Sequence, residues 1–282
     1  MHRFPTERAQ LKVKNPAGEV RVDAVETDET TVELVPLNDS DATREAIEHA
    51  RVEARGDEIV VEVESRGWSF SIGDWALGRN AKIGVRITCP AGSDLDCDTA
   101  SANVKATGTL GTTRTRTASG DVSLERIGGE LYLKTASGDL NVEHVEGPAE
   151  LQTVSGDADV RTALAGLRVQ SVSGDAELGE VTGSLSVTSV SGDQRVRAAG
   201  PGDLAFKAVS GDVDVAIRPG LRVRLDVNSV SGTIKSDLDV SDEPPRKEGP
   251  EADLRVRTVS GDVRIGRAQS SSDNASARIA LA

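Results

Sequence analysis

A column of regularly spaced aspartates is the feature of this sequence with the clearest potential for chemistry. If the segments that carry them stack at the ~4.8 Å spacing of β-strands, neighbouring carboxylates repel one another, and bound cations would relieve the repulsion. The same side chains can instead accept hydrogen bonds from backbone amides in turns. The sequence favours this structural role, because only one of the two turns in each repeat carries the glycine-containing triplet. Each of these aspartates follows a Ser-Gly dipeptide. Successive members are 18 residues apart, except the last, which follows after 19: Asp121, Asp139, Asp157, Asp175, Asp193 and Asp212.

An aromatic cluster is the second candidate site. Trp68, Phe70 and Trp75 lie within eight residues and make up half of the aromatic residues of the chain, which has two Trp, one Tyr and three Phe. Aromatic side chains bury a large area where a stacked core ends, so the preferred interpretation is a loop that plugs one end of the fold. The alternative is an exposed patch that binds a sugar or a protein.

Residues that commonly serve as bases, nucleophiles and metal ligands are sparse here. The three histidines, His2, His49 and His144, share no motif with a serine nucleophile or a second metal ligand. We therefore predict that the chain is not an enzyme and uses no cofactor. Cys89 and Cys97 are expected to be reduced and partly buried, with a disulfide between them as the alternative.

The elements that position these residues are defined by an 18-residue repeat. Apolar and polar residues alternate around Val122 and Leu124 and again around Leu131 and Leu133, which is typical of strands with one buried face, while Ser-Gly-Asp supplies a turn. Because such short strands need neighbours, we predict an all-β fold, a parallel β-solenoid (β-helix) of ~18-residue coils with stacked aliphatic side chains inside. The predicted interior also includes Ala136, Val154 and Val190.

Stacking of the coils also predicts ladders of similar polar residues. Their hydroxyl groups are expected to hydrogen-bond up and down the stack. One such column consists of Thr135, Thr153, Ser171 and Ser189, and a second consists of Ser137, Ser155, Ser173 and Ser191.

The first 98 residues lack the repeat but are also predicted to be rich in strands, at 10–14, 19–25, 31–35, 58–64 and 82–88. One short helix is expected over 42–50, with Ala46 and Ile47 facing a sheet. Residues 1–98 are either a separate sandwich-like cap or irregular opening coils of the solenoid. Because an exposed solenoid end would associate with other molecules, the capping role is favoured. The solenoid itself is predicted over residues 99–267, in which 241–253 form an inserted loop. Residues 268–282 are expected to be disordered or to cap the other end.

The overall charge limits the partners. The chain carries 46 acidic and 33 basic residues, a net charge of −13, which would repel a nucleic-acid backbone. No stretch approaches the ~20 apolar residues that span a bilayer, so we expect neither a nucleic-acid partner nor membrane insertion. The N-terminus lacks the apolar run of a secretory signal, which predicts a cytoplasmic location.

The repeated pattern Thr-(Ala/Val)-Ser-Gly-Asp resembles the bacterial DUF4097 family of β-strand repeat proteins, as do Asn-Pro-Ala-Gly-Glu-Val-Arg-Val at 15–22 and Arg-Ile-Thr-Cys-Pro at 86–90. The resemblance extends over residues 10–265. It implies a β-repeat architecture and no catalytic residues. Because members are often labelled putative adhesins, it also implies an adhesive role and, by family analogy alone, a surface location.

Together these patterns predict a non-catalytic scaffold or adhesin-like binding protein. It would present a long, flat, acidic face to a protein or glycan partner, or self-associate end to end. A calcium-binding β-roll that uses the aspartate column is one alternative. A carbohydrate-active β-helix enzyme is the other; such enzymes build a cleft from long loops, and 241–253 is the one long insertion in the repeats.

Overall fold

The chain winds into a β-solenoid of two facing sheets, built mainly from parallel strands. The structure is a computed structural model, and it describes residues 1–63, 81–238 and 249–268. Within these ranges thirteen strands form sheet A, twelve form sheet B, and one α-helix accompanies them. The predicted all-β solenoid is therefore confirmed.

In chain order the elements are β1 (His2–Pro5), β2 (Gln10–Asn15), β3 (Gly18–Val25), β4 (Glu29–Pro36), α1 (Asp41–Glu48), β5 (Arg51–Arg55), β6 (Glu58–Glu62), β7 (Ile83–Pro90), β8 (Asp94–Thr99), β9 (Asn103–Leu110), β10 (Thr113–Arg116), β11 (Val122–Ile127), β12 (Leu131–Lys134), β13 (Leu140–Val145), β14 (Ala149–Gln152), β15 (Ala158–Ala163), β16 (Leu167–Gln170), β17 (Ala176–Val181), β18 (Leu185–Thr188), β19 (Gln194–Ala199), β20 (Gly202–Ser210), β21 (Val213–Ile217), β22 (Arg222–Ser231), β23 (Ile234–Ser236), β24 (Glu251–Ser260) and β25 (Val263–Arg267). Sheet A runs β1-β4-β7-β3-β9-β11-β13-β15-β17-β19-β21-β25-β23, and sheet B runs β22-β24-β20-β18-β16-β14-β12-β10-β8-β2-β6-β5.

One coil consists of a sheet A strand, a turn, a sheet B strand and the Ser-Gly-Asp turn. The inward side chains Leu140 and Val142 of β13 and Leu151 of β14 are at most 1% exposed. Parallel pairing places Leu133 of the preceding coil directly beside Leu151, so like residues stack along the solenoid. The core is therefore a series of thin aliphatic layers, as the repeat predicts.

The expected burial of Ala136, Val154 and Val190 is wrong. Val154 and Val190 are 49% and 47% exposed, and Ala136 is exposed as well. The alternation of the sheet B strand continues one residue beyond the strand, so that Thr153 points inward and Val154 points outward. The threonine and serine column, and not the alanine and valine column, therefore completes each layer of the core.

The N-terminal region continues both sheets. Strand β2 pairs in parallel with β8, and β3 pairs in parallel with β9, so the solenoid begins within the first 98 residues. Outward from β7 in sheet A and β6 in sheet B, towards the N-terminal end of the solenoid, the pairing becomes antiparallel: β4 to β7, β1 to β4, and β5 to β6. Strands β1, β5 and β8 lie outside the strands that the sequence predicted.

The single described helix forms close to where the sequence predicts it. Ser40 accepts a hydrogen bond from the backbone amide of Thr43 and so begins α1. Ala46 is buried and Ile47 packs against the core, as expected. The helix thus adds cover to the N-terminal end of the solenoid.

At the C-terminal end the coils do not stack in chain order. Strand β24 lies between β20 and β22, and β25 lies between β21 and β23. The last repeat is therefore inserted beneath the one that precedes it, and β22 and β23 form the outermost coil. Residues 251–253, which the sequence placed in the inserted loop, belong to β24. The rest of that loop, apart from residues 249 and 250, lies outside the described residues.

Candidate functional site

The predicted aspartates form a continuous ladder along one narrow edge of the solenoid, together with Asp262 of the last repeat. Each carboxylate accepts a hydrogen bond through its Oδ1 atom from a backbone amide of the next coil outward, which belongs to an aspartate in every case except Asp262, whose donor is Thr233. The N···O distances are 3.0 Å from Asp157 to Asp139 and 2.8 Å from Asp175 to Asp157. This set, Asp121, Asp139, Asp157, Asp175, Asp193, Asp212 and Asp262, is called the Asp ladder below.

The Asp ladder has a structural role in this geometry. One oxygen of each carboxylate already serves an amide that would otherwise lack a partner within the turn. Within the described residues no group of three or more His, Cys, Asp or Glu side chains is arranged to hold a metal ion. Calcium binding therefore gains no support beyond the spacing that suggested it.

The predicted hydrogen bonds between hydroxyls of the threonine and serine column are not formed. The hydroxyl oxygens of Thr135, Thr153 and Ser171 are buried and have no hydrogen-bond partner. Coils separated by ~4.8 Å hold successive hydroxyls too far apart for a bond of at most ~3.0 Å. The exception is Ser189, whose hydroxyl accepts a hydrogen bond of 2.7 Å from the Gln194 amide nitrogen.

The flat faces of the solenoid carry both signs of charge. Neighbouring coils form ion pairs across these faces, such as Arg116 with Asp98 at 2.6 Å and Arg161 with Glu143 at 2.8 Å. The expected long, flat, acidic face is therefore wrong. A row of negative charges lies instead on the narrow edge that carries the Asp ladder.

An open groove crosses the outer face of sheet B and has a volume of about 560 Å³. Its central row takes one outward-facing side chain from each of five successive strands: Arg114, Tyr132, Glu150, Arg168 and Ser186. The guanidinium of Arg114 lies over the Tyr132 ring, 5.6 Å from its centroid, which is within the range of a cation–π contact. Hydrogen-bond donors, acceptors and one aromatic ring therefore follow one another at the spacing of the strands.

Sequence reasoning missed this groove, although part of it was accessible. Tyr132 stands between the buried residues Leu131 and Leu133, so the period-2 alternation alone directs its ring outward. The row formed with Glu150 and Arg168 depends on which residues meet between coils. The predicted aromatic cluster of Trp68, Phe70 and Trp75 lies outside the described residues.

The two cysteines are free and buried in different sheets, Cys89 in β7 and Cys97 in β8. Burial raises the pKa of the Cys89 thiol to about 11, and the same cause raises the pKa of Cys97 further. Neither thiol is therefore activated for nucleophilic chemistry near neutral pH.

These features define a parallel β-solenoid repeat protein, closed at its N-terminal end by antiparallel strands. The chain belongs to the DUF4097 family: the family model described as Toastrack DUF4097 matches residues 9–266. No curated protein matches the sequence significantly. No helix in the described ranges is long and apolar enough to cross a membrane.

Solved structures with a similar course of the chain include two proteins described as a "putative adhesin". The one from Bacteroides fragilis is 11% identical, covers 93% of this chain and 95% of its own, and superposes with a TM-score of 0.34. The one from Parabacteroides merdae is 10% identical, with coverages of 94% and 95% and a TM-score of 0.31. A "putative cell adhesion protein" from Clostridium sporogenes is 10% identical, with coverages of 94% and 98% and a TM-score of 0.21. At these levels of similarity the descriptions carry no argument about function.

Proposed function

We propose that this protein is a non-catalytic β-solenoid that binds a glycan in the groove on sheet B. The observation that carries the proposal is the row of outward-facing side chains in which Tyr132 is followed by Glu150, Arg168 and Ser186, one per coil. A repeating polymer can meet a repeating surface unit by unit, and the coils supply such a surface at ~4.8 Å intervals.

The chemistry of the groove favours a sugar polymer. Arg168 donates hydrogen bonds, Glu150 accepts them, and Ser186 does both, so the row can satisfy hydroxyl groups, which are donors and acceptors at once. The Tyr132 ring adds an apolar face beside a hydroxyl group, which suits the mixed surface of a sugar ring. A protein partner would instead favour an apolar centre surrounded by a polar rim, and the outward row lacks one.

The groove volume is consistent with a ligand site. At about 560 Å³ it falls within the range of ~300–1,000 Å³ typical of small-molecule pockets. Its lining comes from successive strands of sheet B, so a chain of several units could contact neighbouring coils in turn. We therefore expect affinity to rise with glycan length.

Binding to a panel of soluble bacterial polysaccharides and their oligosaccharides, measured by calorimetry, tests the proposal. Tyr132→Ala should weaken binding about tenfold or more, the loss expected when a central aromatic contact is truncated. Lys134→Ala is the matched control, because Lys134 projects from the same strand, is exposed, and lies outside the groove lining. It should bind as the parent protein does.

Two results would contradict the proposal. The groove would not be a glycan site if glycans bound this protein no better than they bind an unrelated acidic protein. Equal losses of affinity in Tyr132→Ala and Lys134→Ala would lead to the same conclusion. New reducing ends or unsaturated products, formed by the parent protein but not by Tyr132→Ala, would show that the groove is catalytic and favour the β-helix enzyme.

A further inference from the structure

The two ends of the solenoid are finished differently. At the N-terminal end sheet A closes with β1, which contains Pro5, and sheet B closes with β5, where charged residues occupy three of five positions. Both strands are antiparallel to their neighbours. Prolines and alternating charges on an edge strand oppose further strand addition, so this end is blunted.

At the C-terminal end the core is left incomplete among the described residues. Leu225 of β22 stands in register with Leu254 and Leu204, which are 0% and 1% exposed, yet Leu225 itself is only half-buried. On the sheet A side Ile234 of β23 is 46% exposed. The outermost coil thus has the side chains of an interior layer and one open side.

The backbone of β22 also has an open edge. The amide of Arg222 donates a hydrogen bond of 3.0 Å to the carbonyl of Pro250, beside β24. In a parallel ladder alternate residues bond to alternate sides, so Val223, Leu225 and Val227 direct their amides and carbonyls away from β24. Within the described ranges no strand pairs with that side.

We infer that this open end binds a second copy of the chain, with the two β22 strands antiparallel about a twofold axis through Leu225. In this register Leu225 faces its own counterpart and Val223 faces Val227, and each pair can exchange two backbone hydrogen bonds. On the outer face Arg224 of each copy lies opposite Asp226 of the other. Opposite charges directly across an antiparallel pair are favourable.

The charges select this register over its neighbours. Moving the twofold axis by one residue keeps the backbone bonding pattern possible but places Arg224 against Arg224, or Asp226 against Asp226. Both alternatives set like charges directly opposite one another, which is destabilising. Because β23 ends sheet A in the same coil, the same axis brings the two β23 strands together and closes the core over Leu225 and Ile234.

The stack is not built to continue in parallel beyond this coil. Each member of the Asp ladder accepts the amide of the coil outside it, and Asp262 accepts the amide of Thr233 at 2.9 Å. Thr233 brings no carboxylate to serve a further coil. A twofold pair is closed, so with the N-terminal end blunted the expected product is a dimer and not a filament. This inference does not rest on the proposed glycan site, because the groove lining ends at β20 and β24 separates it from β22.

Light scattering coupled to gel filtration of the full chain tests the inference by a charge swap. Arg224→Asp and Asp226→Arg should each shift the protein from twice the chain mass to the chain mass. The double variant should restore the dimer, and a mixture of the two single variants should form a heterodimer, because every facing pair is again opposite in sign. Arg55→Asp, an exposed arginine on the edge strand β5, is the control and should remain dimeric.

The variants should fold. Arg224 and Asp226 are 72% and 58% exposed, and their contacts with Glu251, Asp253 and Arg257 at 3.4–3.5 Å are surface ion pairs, which contribute little to stability. A full chain that remains monomeric at high micromolar concentration overturns the inference, as does a dimer indifferent to both single changes. A chain truncated after Ala268 that dimerises when the full chain does not would also overturn it, and would assign the open end to residues 269–282.

Discussion

Replacing Thr153 with valine should stabilise the protein. The Thr153 side chain points into the core, and its hydroxyl oxygen is buried without a hydrogen-bond partner. In the unfolded chain water satisfies that hydroxyl, so folding removes a hydrogen bond without replacing it. Valine has nearly the same shape and leaves no polar atom to satisfy.

The magnitude follows from the cost of burying such a group. A buried hydroxyl without a partner costs roughly 1–3 kcal/mol by protein substitution data, and the added methyl group of valine gains further apolar burial. Valine is also well suited to a strand. We therefore expect Thr153→Val to raise the free energy of unfolding by about 1–2 kcal/mol, and a second change at Thr135 to contribute a similar amount.

Urea unfolding followed by circular dichroism measures the change, with the slope compared between variants. Cooperativity in a solenoid is largely between neighbouring coils, so hydrogen exchange in β14 and β16 should report a local rise in protection. Thr188→Val is the matched control, because Thr188 occupies an exposed position in the same sheet, and its effect should stay within ~0.5 kcal/mol.

A destabilised Thr153→Val variant would refute the reasoning. It would mean that the hydroxyl is hydrogen-bonded in the native protein, either along the column, as the sequence suggested, or to a buried water. Equal effects at Thr153 and Thr188 would show instead that valine acts through strand preference alone and that burial of the hydroxyl costs nothing.

Four further predictions concern the turns, the thiols, one carboxylate and calcium. Gly174→Ala should cost roughly 2–5 kcal/mol in urea unfolding, because φ is +139° and an added Cβ would lie 2.2 Å from the Gly156 carbonyl oxygen; a loss below 1 kcal/mol would contradict this. Cys89 and Cys97 should resist iodoacetamide at pH 8 in the folded protein and react in urea, as their raised pKa values and burial require; rapid labelling of the native protein would count against it. Burial raises the pKa of Asp159 above its ordinary value of 3.8, and the nearby negative charge of Glu177 raises it further, so the ionised side chain disfavours folding at neutral pH. Asp159→Asn should therefore be slightly stabilising at pH 7. This gain in the free energy of unfolding should disappear as the pH falls below 3.8, where Asp159 is protonated in both the folded and the unfolded chain. Thermal melting should be the same in EDTA and in millimolar calcium, since the Asp ladder already binds amides; a calcium-dependent rise lost on disrupting the ladder would instead support the β-roll alternative.

The architecture could be predicted because two periods coincide in the sequence. The 18-residue spacing implies stacked coils, and the alternation within each coil identifies one buried face. The predicted alternation of buried and exposed residues was wrong only just after the end of the sheet B strand. Val154 is apolar and Thr153 is polar, so composition favoured burial of Val154, whereas the backbone alternation continued and buried Thr153. Geometry overrode hydrophobicity at that corner.

The candidate site was less predictable because it depends on neighbours between coils. Alternation directs Tyr132 outward, but its contact with Arg114 and the row continued by Glu150 follow only once the coils are aligned. The Asp ladder shows the reverse case. Its spacing was evident, yet the spacing alone could not tell a cation site from amide capping, and the observed N···O distances of 2.8–3.1 Å favour capping.

The residues in the Ser-Gly-Asp turns agree with the order of the last coils. Wherever another coil lies beyond this position, its side chain supplies an oxygen that accepts the amide of that coil, and in most coils this side chain is an aspartate. The ladder starts in the same way with Asn103, whose side-chain oxygen accepts the amide of Asp121. Thr233 breaks the series although Asp262 follows it in the chain. The strand pairing places the Thr233 coil outermost, where no further coil needs a carboxylate. The Asp262 coil lies beneath it and keeps the carboxylate that accepts the Thr233 amide. The substitution is therefore consistent with the observed order of the coils.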